Sequence, residues 1–160
     1  MPLAFVALGA NLADPAHQIR AALESLSRLP DSRLLRVSSL YRTAPVGVAG
    51  QPDFINAVAL VETTLAPHEL LAALFAIEAE FGRRRDYRNA PRTLDLDLLL
   101  YDELVLDGTE LQLPHPRMHL RAFVLAPLLE IAPACVIPGR GTAAAWRPAV
   151  SMQPIEKLAA

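Results

Sequence analysis

Cysteine and lysine are nearly missing: Cys135 and Lys157 are single copies in 160 residues. One thiol cannot form an intrachain disulfide, and it fits a reducing, cytoplasmic setting. One lysine close to the C-terminal end excludes more. No GxxxxGK[ST] phosphate loop can be written, no kinase-type strand lysine is available, and Schiff-base chemistry lacks its amine. Long apolar runs are absent too. The opening run 3–8 is too short for a signal peptide and lacks a basic lead-in. The run 122–138 holds Glu130 and three prolines, so it is not a membrane span. A net charge of −2 supplies no large field of either sign, which argues against non-specific binding to nucleic acid or a membrane surface.

What is present is a globular composition, 52% hydrophobic and 20% charged, at the length of one domain over 1–160. A chain near this size buries about 68–70% of its unfolded surface, enough for a core without staples. Leu3 to Leu8, ending at Gly9, reads as a buried strand. Asp14-Pro15 caps a helix whose Ile19, Leu23, Leu26 and Leu29 share a face, with a stop near Pro30. Leu34 to Tyr41 reads as a second strand, Ala44 to Pro52 as a loop and Phe54 to Thr64 as a third strand. Pro67 opens a second helix with Leu70, Leu74, Ile77 and Phe81 on one face and Gly82 at its end. Arg83 to Arg92 is a polar loop, and Leu94 to Tyr101 a fourth strand.

The order β-α-β-β-α-β predicts an α+β, ferredoxin-like domain: an antiparallel sheet with both helices on one face. Beyond it, Leu104–Leu106 and Leu111–Leu113 flank Asp107-Gly108 as a hairpin, and Arg121 to Ile131 reads as a helix broken by Pro127.

The chemistry concentrates in one stretch. In Leu94-Asp95-Leu96-Asp97-Leu98 the alternation of a strand puts both acids on one face and the leucines on the other. Their Cα atoms then lie roughly 6.6 Å apart, close enough for both carboxylates to grip one divalent cation or bridge two. Directly before it, five arginines fall within residues 83–92. Forked guanidinium bonds neutralise phosphates, and carboxylates hold Mg²⁺ on the same phosphates, so the pair of features fits a nucleoside triphosphate. A solvated basic loop beside surface acids is the plainer alternative. In Pro114-His115-Pro116 two prolines fix the backbone of a histidine, which suits a phosphate contact, proton transfer or simple packing. Phe54 and Asn56 share a strand face, an aromatic and an amide suited to a flat heterocycle.

Together these residues resemble the 6-hydroxymethyl-7,8-dihydropterin pyrophosphokinase family of folate biosynthesis. The strongest stretch is Arg88-Asn89-Ala90-Pro91-Arg92-Thr93-Leu94-Asp95-Leu96-Asp97-Leu98-Leu99. Leu8-Gly9-Ala10-Asn11-Leu12, Ser39-Leu40-Tyr41-Arg42-Thr43, Gln51 to Ala57, and Pro114-His115-Pro116 followed by Arg121 and Phe123 support it in the same order. The resemblance implies transfer of pyrophosphate from ATP to the pterin's hydroxymethyl oxygen, with AMP released. It implies two Mg²⁺ ions on Asp95 and Asp97, and catalysis by Arg83, Arg92 and that acid pair. ATP would meet Glu78, Arg83, Arg85, Arg88, Arg92, Leu98, His115 and Arg121, with Arg85 and Arg88 closing over it. The pterin would lie between Phe54 and Phe123, its edges read by Thr43, Ala44, Val46, Asn56 and Asp95. Glu110 and Gln112 stand where some relatives have Arg and Thr, and Asn89 where many have Trp. A monomer acting on two small molecules is expected, with no nucleic acid and no membrane partner.

Rival classes predict other features. A nucleotidyltransferase with D-x-D on a similar sheet would release pyrophosphate rather than AMP. An RNA-binding module needs stacking aromatics where 94–101 offers acids and leucines. A non-catalytic regulatory domain has no use for paired Asp beside five Arg.

Overall fold

The buried strand predicted at Leu3 to Leu8 lies in a sheet covered on both faces. The structure is a computed structural model, and it describes residues 1–11, 14–44, 52–81 and 94–158. In β1 (Leu3–Ala10), Ala4, Val6, Leu8 and Ala10 enter one hydrophobic core while Phe5 and Ala7 pack against a second on the opposite face. Helix α1 (Pro15–Ser27) starts at Asp14 and buries Ile19, Ala22 and Leu26. The strand predicted over 34–41 is two, β2 (Ser32–Val37) and β3 (Tyr41–Thr43). Ser38 causes the break. Its N–H donates to Val58 O at 2.9 Å while its hydroxyl accepts from Val58 N–H at 2.9 Å, replacing a backbone partner and ending the ladder.

Next come β4 (Phe54–Thr63), α2 (Pro67–Glu80) and β5 (Asp95–Tyr101). The main sheet is antiparallel, with β1 central between β4 and β5, and both β2 and β3 pairing with the far side of β4. This is the ferredoxin-like order. Helices α1 and α2 cover one face as expected.

The remaining chain first adds Leu111 and Leu113 to this same core, then builds the other face from Met118 onward. β6 (Leu106–Asp107) and β7 (Gln112–Leu113) form the predicted hairpin. Helix α3 (Ala122–Ile131) runs through Pro127 instead of breaking there. An interior proline costs about 3 kcal/mol. Burial of Ala122, Val124, Leu125, Leu128 and Ile131 offsets that, and Arg36 Nη1 holds Ile131 O at 2.8 Å. A short hairpin, β8 (Val136–Ile137) with β9 (Gly141–Thr142), leads into α4 (Ala143–Trp146). Finally β10 (Glu156–Lys157) pairs with β3 and extends the sheet.

β5 carries a bulge. Val6 faces Leu98 and Phe5 faces Leu100, so Leu99 has no partner on β1. Before the bulge, Leu96 and Leu98 enter the α1–α2 core; after it, Leu99 and Leu100 both enter the α3 core. Asp95 and Asp97, opposite Gly9 and Ala7, therefore point to the α3 face at the open end of the sheet.

Candidate active site

Leucines bury one face of β5, which forces Asp95 and Asp97 onto the other; both are half-buried. Two cavities meet at them. The smaller, of about 310 Å³, is lined by Asp95, Asp97, Leu98, His115 and Pro116, with Leu71 and Phe75 of α2 and residues 109–112 of the hairpin. The larger, of about 470 Å³, is lined by Asp95, Asp97, Phe54, Asn56, Arg121 and Phe123, with Gly9, Ala44 and Gln153 among others.

Buried Asn56 is tightly held. Its Nδ2 donates to Thr43 Oγ1 at 2.8 Å, so Thr43 orients the amide from behind. A Cβ on Gly9 would come within 3.2 Å of Asn56 Oδ1, so glycine there leaves the amide its room. On the opposite wall the Arg121 guanidinium carbon sits 5.4 Å from the centroid of the Phe123 ring, a cation–π contact. Burial lowers the Arg121 pKa, while Asp97 and Asp95 pull it back up. A guanidinium stays charged through such shifts.

His115 is fixed on both sides. Its N–H donates to Leu99 O at 2.9 Å, the carbonyl of the bulge, and its own carbonyl accepts from Arg140 Nη1 at 3.2 Å. Burial, then the Arg121 and Arg117 charges, push its pKa down to about 4, so the ring is neutral at pH 7. Nδ1 accepts from Arg117 N–H at 3.1 Å, which leaves the proton on Nε2 as a donor.

Glu78 takes a position away from both cavity walls. It is 2% exposed, and its Oε2 accepts from Leu96 N–H at 2.7 Å, bracing β5 between the two aspartates. Arg121, grouped with ATP from the sequence, stands on the wall of the larger cavity. Val46, Arg83, Arg85, Arg88 and Arg92 lie outside the described residues. Sequence reading left out Leu71, Phe75 and Gln153. The two apolar residues look like ordinary helix core, and nothing near Gln153 marks it.

Residues 5–133 match the family model of 7,8-dihydro-6-hydroxymethylpterin-pyrophosphokinase (HPPK). The chain belongs to this family. Its relatives include the 2-amino-4-hydroxy-6-hydroxymethyldihydropteridine pyrophosphokinase of Pseudomonas aeruginosa, 55% identical over 134 residues that cover 84% of this chain and 83% of that protein. The Bacillus subtilis protein of the same name is 43% identical over 129 residues, 81% of this chain and 77% of that one. Among solved structures, a Plasmodium falciparum HPPK-DHPS chain superposes with a TM-score of 0.70 at 14% identity, over 93% of this chain and 43% of that chain. An HPPK-DHPS crystallised with substrates gives a TM-score of 0.75 at 12% identity, over 92% and 43%. At such identities the likeness speaks for the HPPK fold, and this chain spans under half of those longer ones.

The acid pair suits the hard cation that the family resemblance implies. Among the described residues no three His, Cys, Asp or Glu gather as a closed metal cage. Two carboxylates opening on cavities fit magnesium, which keeps waters and takes phosphate oxygens rather than a full protein cage. Among the described residues no helix is long and apolar enough to cross a membrane.

Proposed function

We propose that this chain transfers the diphosphoryl group of ATP to the hydroxymethyl oxygen of 6-hydroxymethyl-7,8-dihydropterin, giving AMP and the pterin diphosphate in folate biosynthesis. The observation that carries the reading is the meeting of two differently built cavities at Asp95 and Asp97. The larger has the rings of Phe54 and Phe123 and the oriented Asn56 amide, which suit a flat heterocycle with donor and acceptor edges. The smaller joins apolar Leu71, Phe75 and Leu111 to the polar His115, which suits a base and its phosphates.

In this reading the pterin's hydroxymethyl oxygen is held at the boundary and forms its bond to the β-phosphorus. The bond from that phosphorus to the oxygen bridging it to the α-phosphorus breaks, the electron pair leaves on AMP, and the alcohol proton passes to solvent. Asp95 and Asp97 would hold two Mg²⁺ ions, whose charge offsets that of the triphosphate. The neutral His115 donates from Nε2 to a phosphate oxygen, and Arg121 steadies charge between the two ligands. Arg83 and Arg92 belong to the same reading through the family motif, with Arg85 and Arg88 over the nucleotide. The rest is orientation: two reactants fixed on either side of one acid pair. The chain acts as a monomer on two small molecules.

Phosphorus NMR of the protein with ATP, Mg²⁺ and the pterin tests this. AMP and a pterin diphosphate, dependent on all three, are expected. Pyrophosphate release instead of AMP would move the chain to the nucleotidyltransferases.

A further inference from the structure

The C-terminal segment enters the larger cavity through one side chain. Gln153 lines that cavity, and its amide brackets the backbone on either side of Arg121. Its Oε1 accepts from Ala122 N–H at 2.8 Å, and its Nε2 donates to Leu120 O at 2.9 Å. Arg121 is extended, at φ −125° and ψ 115°, and caps α3 without a side-chain bond of its own. The Ala122 N–H is one of the donors that a helix start leaves without an intrahelical partner. Gln153 therefore does for α3 what a local Ser or Asp ordinarily does.

The bracket has a firm base. Gln153 N–H donates to Val150 O at 3.0 Å, and Leu158 N–H donates to Leu40 O at 2.9 Å. Between them Ile155 packs on the α3 core, and β10 pairs with β3, placing Glu156 opposite Arg42 and Lys157 opposite Tyr41. β3 ends at Thr43, which orients Asn56. One segment thus ties the Arg121–Phe123 wall to the Thr43–Asn56 wall across the cavity.

We infer that Gln153 is a positioning residue for the pterin: its amide sets the backbone that aims Arg121 and Phe123 into the cavity. The inference rests on assigning the larger cavity to the pterin. Loss of the amide frees that backbone to turn, so the ligand of this cavity loses affinity, while the nucleotide, which meets only Arg121 of this wall beside His115 and the acid pair, loses far less.

Calorimetry with the pterin and with Mg·ATP, on the full chain, tests it. Gln153→Ala is expected to raise the pterin Kd about tenfold, a shift that one well-placed hydrogen bond can supply. The ATP Kd is expected to stay within about twofold. Gln153→Glu keeps the acceptor for Ala122 N–H and loses the donor to Leu120 O, so it restores part of the affinity; it also serves if the alanine variant folds poorly. Met152→Ala, at a side chain 91% exposed, is the control expected to match the wild type. Equal losses for both ligands, or an unchanged pterin Kd, would overturn the inference. Phe54→Ala separates it from its premise. If that variant loses pterin and Gln153→Ala does not, the positioning role alone falls. If Phe54→Ala binds pterin normally, the cavity assignment falls and takes the inference with it.

Discussion

Asp97 stands opposite Ala7, and Asp95 opposite Gly9, so small side chains flank both carboxylates and leave them open to two ligands. Asp97→Ala is expected to cut turnover at least ~100-fold, because a lost metal clamp forfeits several kcal/mol of charge stabilisation. Steady-state rates at saturating Mg²⁺ decide it, and near-normal turnover would remove Asp97 from the metal site. His115 makes a prediction about stability. Folding lowers its pKa from an ordinary 6.5 to about 4. Between those values the unfolded chain binds the proton and the folded chain does not. Stability is therefore full above pH ~6.5 and declines as pH falls toward ~4, by about 3 kcal/mol for this group. Urea unfolding from pH 7.5 to 4 should show that slope in the wild type and a flatter one in His115→Gln; parallel curves would show that the ring titrates normally. The acid pair was legible because strand periodicity alone puts residues 95 and 97 on one face. Gln153 was not, because its side-chain bonds reach back 31 and 33 residues and no local pattern records such partners.

Among the elements, β5 carries the acid pair, and among the described residues it is an edge strand with one side unpaired in the sheet. Glu78 covers part of that side by accepting the Leu96 N–H, which lies between the two aspartates. Glu78→Ala leaves a buried donor without this acceptor and is expected to cost ~1–3 kcal/mol of stability. Glu78→Gln, which retains an acceptor oxygen, is expected to lose less. Denaturant titration of both variants checks the order, and equal losses would mean that the charge, rather than the acceptor, is what β5 needs. Sequence periodicity gave α1, α2, β1, β4 and β5 to within a few residues, since each has one dominant repeat. It did not give the break at Ser38, where a hydroxyl imitates a backbone group. Nor did it give an unbroken α3, where tertiary burial overrides the local preference of Pro127.

At the scale of the molecule, the sheet divides labour between its faces. Beside the α1–α2 core, Leu71 and Phe75 of α2 line the smaller cavity; on the α3 side, Arg121 and Phe123 line the larger. The βαββαβ order made the first layer legible. The α3 layer was less so, because its short β8–β9 hairpin and tail carry little periodic signal. Asp95 and Asp97 line both cavities, so in the proposed reading neutralising the pair from the nucleotide side also relieves the pterin side. Mg²⁺ with a non-hydrolysable ATP analogue is expected to raise pterin affinity ~5- to 150-fold, the usual span of coupling between sites. Calorimetry in both orders should return the same factor, as linkage demands. A factor of one would show that the cavities act independently.

The unpaired Leu99 opens a route that substitutions do not. Removing one residue from a strand ordinarily turns every later side chain inside out. Here the bulge has already absorbed one step, and Leu99 and Leu100 share a core. Excising Leu99 would keep Leu100 and Tyr101 on their present sides and take away the carbonyl that His115 N–H grips. A shortened chain is thus a natural tool for separating folding from nucleotide handling, and insertion–deletion libraries are a better probe of this strand than point libraries.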